Sequence, residues 1–340
     1  MKTITFKNMG FILGENQNEL TLEHIYSNVE ILEIPSEVGG MPVTKINSGS
    51  LDRGAGKRNE TLKKVIMPDS IKTIGRRAFI NCINLKEIVW SNNLETIENF
   101  AFECCMSLTS ITIPDSVTYI GHCAFEDCIN LKSFIYNSNC KFEERVFENT
   151  GLTSFTIPNS ITTIRNGMFY GCENLESITI PDSVTSIGKS AFRGCNKLKK
   201  FKFPKEIKRL SAFLFSGCSS LTSIEIPNVS YIPSYCFCGC KNLTSIILPN
   251  SVTSIRDYVF IYCTNLTSVT IPNSVTSIEE WAFAYCTSLT SIDIPSSVIE
   301  IGEYAFYECE KLTSMTLSEK LFKENQEVFK QLKDCEFIFS

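Results

Sequence analysis

The sequence predicts a β-rich solenoid, a stack of short coils rather than one globule around a single centre. Three observations predict it. First, a unit of 23 residues, typified by LESITIPDSVTSIGKSAFRGC at 175–195, recurs from about residue 62 to residue 317 and restarts at Leu198, Leu221, Leu243, Leu266, Leu289 and Leu312. A period of this size marks stacked supersecondary units. Second, Cys82, Cys105, Cys128, Cys172, Cys195, Cys218, Cys240, Cys263, Cys286 and Cys309 fall at one place in the unit. Third, the apolar residues keep fixed columns: Leu, Ile, Ile, Val, Ile, Ala, Phe and Cys.

Each unit reads L-x-x-I-x-I-P-x-S-V-x-x-I-G-x-x-A-F-x-x-C. Leu, Ile and Ile alternate as a short strand that stops at proline, which has no donor for a ladder and belongs at a strand end. Val and Ile after the proline form a second extended segment. Gly188 and its equivalents Gly75, Gly121 and Gly302 predict a tight corner. The spacing of Ala-Phe-x-x-Cys suits a helical or 3₁₀ turn. One such unit buries too little to fix its own backbone, so neighbouring units must close its apolar edges and the array folds as a coupled line.

Residues 1–34 do not follow the repeat. TITFKNMGFIL and ELTLEHIY alternate in polarity around Gly14-Glu15-Asn16-Gln17-Asn18 and predict a β-hairpin that caps the first coil. The array proper spans 35–317. Its first coil is long, with the excess at Gly39-Gly40-Met41-Pro42 and at Arg53–Glu60. The second insert, RGAGKRNE, is no phosphate loop: Leu51 stands where that motif needs glycine, and Arg58 where it needs Ser or Thr. Taking Pro68 as reference, the steps are 23 residues except 21 after Asn137 and 22 after Pro227. The short coil NSNCKFEERVFENTG lacks the column cysteine, with Thr150 nearest its place, and is expected to bend or loosen the stack. Residues 318–340 form a closing cap: Leu321, Phe322, Val328, Phe329 and Leu332 suit one helix face, and Cys335–Phe339 a last strand.

The bulk numbers exclude several classes. Hydrophobic content of 43% with 20% charged residues describes an ordered protein, and the net charge of −5 is dispersed, which argues against nucleic acid as a partner. No apolar run reaches the length of a membrane span, and MKTITFKNMGFILGENQ lacks the apolar core of a secretory signal. The sixteen cysteines read as unpaired core thiols, since ten of them share one column and free cysteine buries readily, so cysteine content does not fix the compartment.

The phrases LTSITIPDSVTYIGHCAFEDC (108–128), LTSVTIPNSVTSIEEWAFAYC (266–286) and the opening IPSEVGGMPVTKI (34–46) resemble the BspA-type leucine-rich repeat. The resemblance covers about 31–317. It implies an α/β leucine-rich repeat solenoid: a right-handed, curved array of about twelve repeats with a parallel sheet on one face. Cysteine stands in an inward leucine slot, and serine (Ser116, Ser183, Ser274) replaces the usual asparagine ladder. The resemblance further implies a non-enzymatic surface or secreted protein that binds host matrix, plasma or cell-surface macromolecules, protein or glycan. A cytoplasmic location stays open beside it. No cofactor is expected.

No catalytic constellation stands out. His24 and His122 are the only histidines, and a catalytic base needs a positioned partner. Cys236, Cys238 and Cys240 alternate and could hold a metal only with a fourth ligand. Two surfaces are candidate binding faces. The outward strand positions carry Thr112, Thr156, Thr179, Thr270 and Asp293, with neighbours such as Thr109 and Ser110, and either bind a macromolecule or simply form a solvated sheet. Lys63, Lys64, Lys86, Lys132, Lys199, Lys200 and Lys202 make the first half of this face basic, which either attracts an acidic partner or resists aggregation. The second surface is aromatic: Phe213, Tyr235, Tyr258, Trp281 and Tyr304 stand two residues before the repeat Phe in five successive units, with Tyr262 and Tyr285 two residues after it. Such a column either anchors a ligand or stiffens the stack by ring contacts. A purely structural or assembly scaffold is the remaining alternative.

Overall fold

A computed structural model describes residues 3–14, 17–26, 28–47, 58–332 and 334–340. Glu15 and Asn16 of the expected hairpin loop, and residues 53–57 of the RGAGKRNE insert, lie outside the described residues. The chain forms two compact units, Met1–Phe155 and Thr156–Ser340. Each is a β-solenoid of stacked coils.

In the first unit the N-terminal segment is three antiparallel strands: β1 (Ile4–Phe6), β2 (Met9–Leu13) and β3 (Leu20–Ile25). The stretch TITFKNMGFIL is therefore two strands, not one. Lys7 and Asn8 take positive φ (45° and 58°) in the two-residue turn between them, the twist that tight hairpins favour. Strand β3 then pairs in parallel with Met41–Ile46, and that ladder continues through Thr73–Ile74, Thr96–Ile97, Tyr119–Ile120 and Lys141–Phe142. This is the segment after the proline, so it forms a sheet of its own. The strand before the proline makes a second parallel ladder, as in Ile31–Glu33 with Lys64–Ile66 and Glu87–Val89. The Gly39-Gly40 excess of the first coil is a small hairpin, Glu37–Val38 against Met41–Pro42.

The second unit repeats the plan. Tyr231–Ile232, Ser254–Ile255, Ser277–Ile278 and Glu300–Ile301 form one parallel ladder. On the other, Ser291–Asp293 pairs with Ser314–Leu317, and the last strand, Glu336–Phe339, closes its edge. The closing helix is two short ones, α1 (Glu319–Glu324) and α2 (Gln326–Phe329), broken at Asn325, whose side chain donates to the Leu321 carbonyl. Ser318 caps α1 through the Leu321 amide.

The core is a set of columns. Phe79, Phe102, Phe125 and Phe147 are fully buried in the first unit, and Phe169, Phe192, Phe215, Phe237, Phe260, Phe283 and Phe306 in the second. Successive rings in the second unit stack at 5.3–5.9 Å and within 14° of parallel. The column cysteines lie beside them, all buried. Cysteine suits this slot because it is small and apolar yet keeps a weak donor. The thiol of Cys105, Cys128, Cys195, Cys218, Cys240, Cys263, Cys286 and Cys309 reaches the carbonyl of the column Phe one coil earlier, at 3.1–3.3 Å. In the second unit serine does the asparagine ladder's work: Ser183, Ser251, Ser274 and Ser297 donate to the preceding coil's carbonyls at 2.6–3.0 Å, whereas the hydroxyls of Ser70 and Ser116 in the first unit are buried without a hydrogen-bond partner. In the short coil, Phe134, Phe142 and Phe155 gather around Phe147 at 4.7–5.6 Å. Thr150 turns its hydroxyl onto the Phe147 carbonyl, so the missing cysteine is replaced by aromatic packing.

Two local expectations need correction. The Ala-Phe-x-x-Cys segment is neither helical nor 3₁₀. Its 1→4 bonds, such as Ile80 N–H to Arg77 O and Cys82 N–H to Phe79 O (both 3.3 Å), belong to successive turns flanked by left-handed residues. The corner glycines Gly75, Gly121, Gly188 and Gly302 do not need unusual dihedrals. They need the absence of a side chain: a Cβ on Gly188 would sit 2.5 Å from the Asn166 amide nitrogen of the preceding coil, and one on Gly302 2.4 Å from that of Glu280.

Burial pushes the thiols of Cys105, Cys195, Cys240 and Cys286 well above the ordinary cysteine range, and those of Cys218 and Cys309 up to about 12. Only Cys104, Cys238 and Cys335 are half-buried, and all three are also raised, Cys104 to about 12 by burial and by Asp127. Thiolate is the reactive form. Iodoacetamide at pH 8 is therefore expected to label native protein slowly and only at these three, and all sixteen cysteines in denaturant. Native labelling of Cys195 or Cys263, read by peptide mass, would contradict the burial of the column.

Candidate functional site

The third side of each coil carries the more unusual chemistry. In every coil from Arg77 onward, the residues two before and two after the column Phe take positive φ. The first series is Arg77, Phe100, Cys123, Arg145, Gly167, Ser190, Phe213, Tyr235, Tyr258, Trp281 and Tyr304; the second is Asn81, Cys104, Asp127, Asn149, Gly171, Gly194, Gly217, Gly239, Tyr262, Tyr285 and Glu308. These residues, and the Phe between them, send their amides out of the coil. In one coil Tyr258, Phe260 and Tyr262 donate to the next coil's Glu280, Ala282 and Ala284 carbonyls at 2.8–3.0 Å. The Asn, Asp and Gly in the second series are the sequence signal for a left-handed backbone, and repeat-pattern reading alone passes over it.

The aromatic column predicted from sequence stands on these left-handed positions. Phe213–Tyr235 and Tyr235–Tyr258 stack at 4.5 and 4.6 Å, Tyr258–Trp281 at 6.1 Å and Trp281–Tyr304 at 4.6 Å. Tyr262 and Tyr285 stack at 4.7 Å where earlier coils carry glycine. Tyr307, which the sequence reading omitted, sets its ring edge-on to Trp281, Tyr285 and Tyr304 at 5.5–5.7 Å and joins the two columns. Phe213 at the head of the column is covered by Lys189 and Arg193 at 5.3 and 5.2 Å from its ring centre. Because the rings cover one another's faces, they present edges and hydroxyls outward. Tyr262 and Tyr304 are the most open, at 45% and 43% exposure.

An acidic row runs beside the column. Asp257, Glu280 and Glu303 immediately precede Tyr258, Trp281 and Tyr304, and the backbone carbonyl of each accepts the amide of the aromatic one coil earlier at 3.0–3.1 Å. Between residues 251 and 310 there are eight carboxylates and a single base, Arg256, which is paired with Glu279 at 2.8 Å. Burial, then the neighbouring Tyr258 hydroxyl, holds the Tyr235 phenol above its ordinary value. Glu308 does the same to Tyr307 through a hydrogen bond and its charge.

The strand face is plainer. Thr112, Thr156, Thr179, Thr270 and Asp293 are exposed. Ile135 and Ile247, which pair with Thr112 and Thr270, are 58% and 70% exposed, so the hydroxyl row is interrupted by aliphatics. The neighbouring hydroxyls of Thr222, Thr267 and Thr313 are spent on carbonyls of the preceding coil. Lys63 and Lys64 are ion-paired with Glu30 and Glu87. The sequence triplet Cys236, Cys238 and Cys240 does not converge: Cys240 donates to the Phe215 carbonyl, and Cys238 turns to Ser216. Among the described residues, the one group of three metal-type donors that converges is Cys123, Glu126 and Glu148, which sequence reading did not assemble.

Stacked coils, two parallel ladders, an inward Phe–Cys column and a varied left-handed ridge define a leucine-rich repeat solenoid. The chain belongs to the BspA-type leucine-rich repeat family, whose profile matches residues 55–176, 162–286 and 253–339. It is similar to a leucine-rich cell surface protein of Faecalibacterium prausnitzii, with 25% identity, 100% of this chain and 94% of that one covered, and a TM-score of 0.63. A leucine-rich repeat protein of Bacteroides ovatus shares the fold at 23% identity and TM-score 0.61, with 99% of both chains covered. The pneumococcal vaccine antigen PcpA shares it at 21% identity and TM-score 0.57, over 94% of this chain and 82% of that one. No curated protein matches. None of the helices among the described residues is long and apolar enough to cross a membrane.

Two outcomes follow. A left-handed backbone costs a residue with a Cβ about 1–2 kcal/mol, a cost glycine escapes. Tyr258→Gly is thus expected to be more stable than Tyr258→Ala by about 1 kcal/mol in urea melts, the reverse of the order in an ordinary strand or helix. Glu148, buried beside Glu126, has its carboxyl raised to about 7, by burial first and then by the charge of Glu126. A carboxyl raised on folding contributes stability that is fully present below its unfolded value and is lost as pH rises through the folded one. Stability is therefore expected to fall between about pH 4.5 and 7. Glu103, raised in the same direction, adds to the trend. Glu148→Gln should flatten part of that slope.

Proposed function

We propose that this is a non-enzymatic adhesion protein, displayed outside the cell, whose aromatic ridge at Phe213–Tyr304 binds a basic segment of a host or cell-surface protein. The carrying observation is the placement of five successive aromatics on left-handed backbone positions beside an acidic row. Stacking returns about 0.5–1.5 kcal/mol per ring pair, which offsets the backbone cost and leaves little net gain in stability. The column's value then lies in what it presents: ring edges, phenol hydroxyls and carboxylates, a combination suited to lysine and arginine side chains. Mutual ring coverage works against sugar stacking, so a protein partner fits better than a glycan. The likeness to a cell surface protein of Faecalibacterium prausnitzii supports display outside the cell. Burial of the thiol columns makes the cysteine-rich chain compatible with an oxidising exterior. The exposed strand row Thr112, Thr156, Thr179, Thr270 and Asp293 is the competing surface.

The test is a binding screen against matrix proteins and immobilised peptides of matched length, lysine/arginine-rich and acidic. Binding to the basic set, weakening with salt, is expected. Glu280→Lys with Glu303→Lys, both at exposed positions, should cut affinity on the order of tenfold or more, as should Tyr258→Ala with Trp281→Ala. Equal binding by these variants, with the melting temperature of the fold checked, would sink the ridge. Loss on Thr112→Lys with Thr156→Lys instead would move the site to the strand face.

A further inference from the structure

Away from the aromatic ridge, the first unit carries a second concentration of chemistry on the same side of its coils. Glu103, Glu126 and Glu148 each follow a column Phe, so three carboxylates occupy equivalent places in successive coils. Like charges aligned in this way repel and are costly without compensation. Cys123 enters the row from the left-handed position two before Phe125 (φ 54°), three residues before Glu126. The ligand atoms of Cys123, Glu126 and Glu148 lie within 4.8 Å of one another. Cys123 and Glu148 are 2% and 7% exposed. The Oε2 of Glu148 is buried and has no hydrogen-bond partner; the nearest cation is Arg145, whose Nη1 stands 3.4 Å away. Around them lie Glu103, Asp127, Cys104 and Arg77. Asp127 is already engaged by Asn149 at 2.9 Å. A buried carboxylate oxygen that accepts no hydrogen bond and is balanced only by a long ion pair to a half-exposed arginine is under-compensated, and a closer cation would satisfy it better.

We propose that Cys123, Glu126 and Glu148 bind one divalent ion of the zinc class, with the fourth position open. The donor set selects it. One thiolate with two carboxylates suits zinc, with bonds of about 2.3 Å to sulfur and about 2.0–2.2 Å to oxygen, and the donors need close by only on the order of 1 Å. Calcium and magnesium take oxygen ligands and do not favour sulfur. Binding displaces the thiol proton, which burial and then the Glu126 hydrogen bond otherwise retain, and any proton on Glu148; these pass to solvent. Arg145 swings from Glu148 toward solvent, where half of its side chain already lies. The ion would bridge two successive coils and neutralise the carboxylate row.

The full chain, stripped with chelator, would be titrated with zinc and with cobalt at pH 6 and pH 8. One equivalent is expected to bind, more tightly at pH 8, releasing protons and raising the melting temperature. The cobalt form should show thiolate-to-cobalt charge-transfer absorption. Cys123→Ser and Glu148→Gln, both close to isosteric, should each weaken binding at least tenfold, and Cys123→Ser should abolish the charge-transfer band. Cys104→Ser and Cys238→Ser should retain it. Absence of the band in the unmodified protein, or its persistence in Cys123→Ser, would overturn the proposal. So would a pH-dependent stability that responds to Glu148→Gln but not to metal, which would make the cluster a proton store.

Discussion

The structure depends on how one coil hands its backbone to the next. On two sides of the coil this is ordinary parallel pairing. On the third, the amides at the Phe column and two residues to either side leave the coil for carbonyls of its successor, as Phe213, Phe215 and Gly217 do to Ser234, Cys236 and Cys238. The segment between the flanking pair is bent by 1→4 bonds, and both flanking residues take the left-handed conformation. The Phe between them is thrown inward, where its ring meets the ring of the next coil. Its carbonyl receives the backbone amide of its own coil's cysteine and the thiol of the next coil's, as Phe215 does from Cys218 and Cys240. A longer side chain in the cysteine slot would displace that ring; an alanine would remove the thiol's bond and leave a small void, while the backbone amide still bonds the carbonyl.

Much of this was legible in the chain. The 23-residue period, the proline stop and the Leu-Ile-Ile-Val-Ile-Ala-Phe-Cys columns give the inward face residue by residue, and each buried ring from Phe79 to Phe306 was identifiable as a column member. What escaped were features decided by contacts between coils. Gly188 and Gly194 look alike in sequence. One is glycine because Asn166 of the neighbouring coil leaves no room for a Cβ, the other because its φ is 75°. Local spacing cannot separate these two reasons. The turn between Lys7 and Asn8 was missed because it uses neither glycine nor Asn-Gly. The Cys123–Glu126–Glu148 group was missed because its members are 3 and 22 residues apart, the second across the coil where the register slips. The aromatic column, by contrast, was visible because aromatic residues recur at one place in five successive repeats.

The left-handed ridge separates the requirements of folding from those of binding. Its backbone bonds are the same whatever side chain it carries, so residues there vary without disturbing the ladder. Glycine is the least strained occupant, and Gly167, Gly171, Gly194, Gly217 and Gly239 show the stack accepting it. Each coil that carries Tyr, Trp, Arg or Cys at these places instead accepts strain of about 1–2 kcal/mol. In the second unit that strain supports a ring column beside carboxylates. In the first it places a thiol and an arginine over a carboxylate row.

These two ridges use one geometric device. A left-handed residue and the residue three further on face each other on the same side of the coil: Cys123 hydrogen-bonds to Glu126, Arg145 meets Glu148, and Tyr304 meets Tyr307. Stacking coils multiplies each such pair into a double column about one strand spacing apart. A double column of rings and acids is a broad surface with many weak contacts, which suits a macromolecule. A double column in which carboxylates close on a single buried thiol is small and convergent, which suits an ion. The same backbone thus sets two scales of recognition, and the choice between them rests on the side chains at two positions per coil.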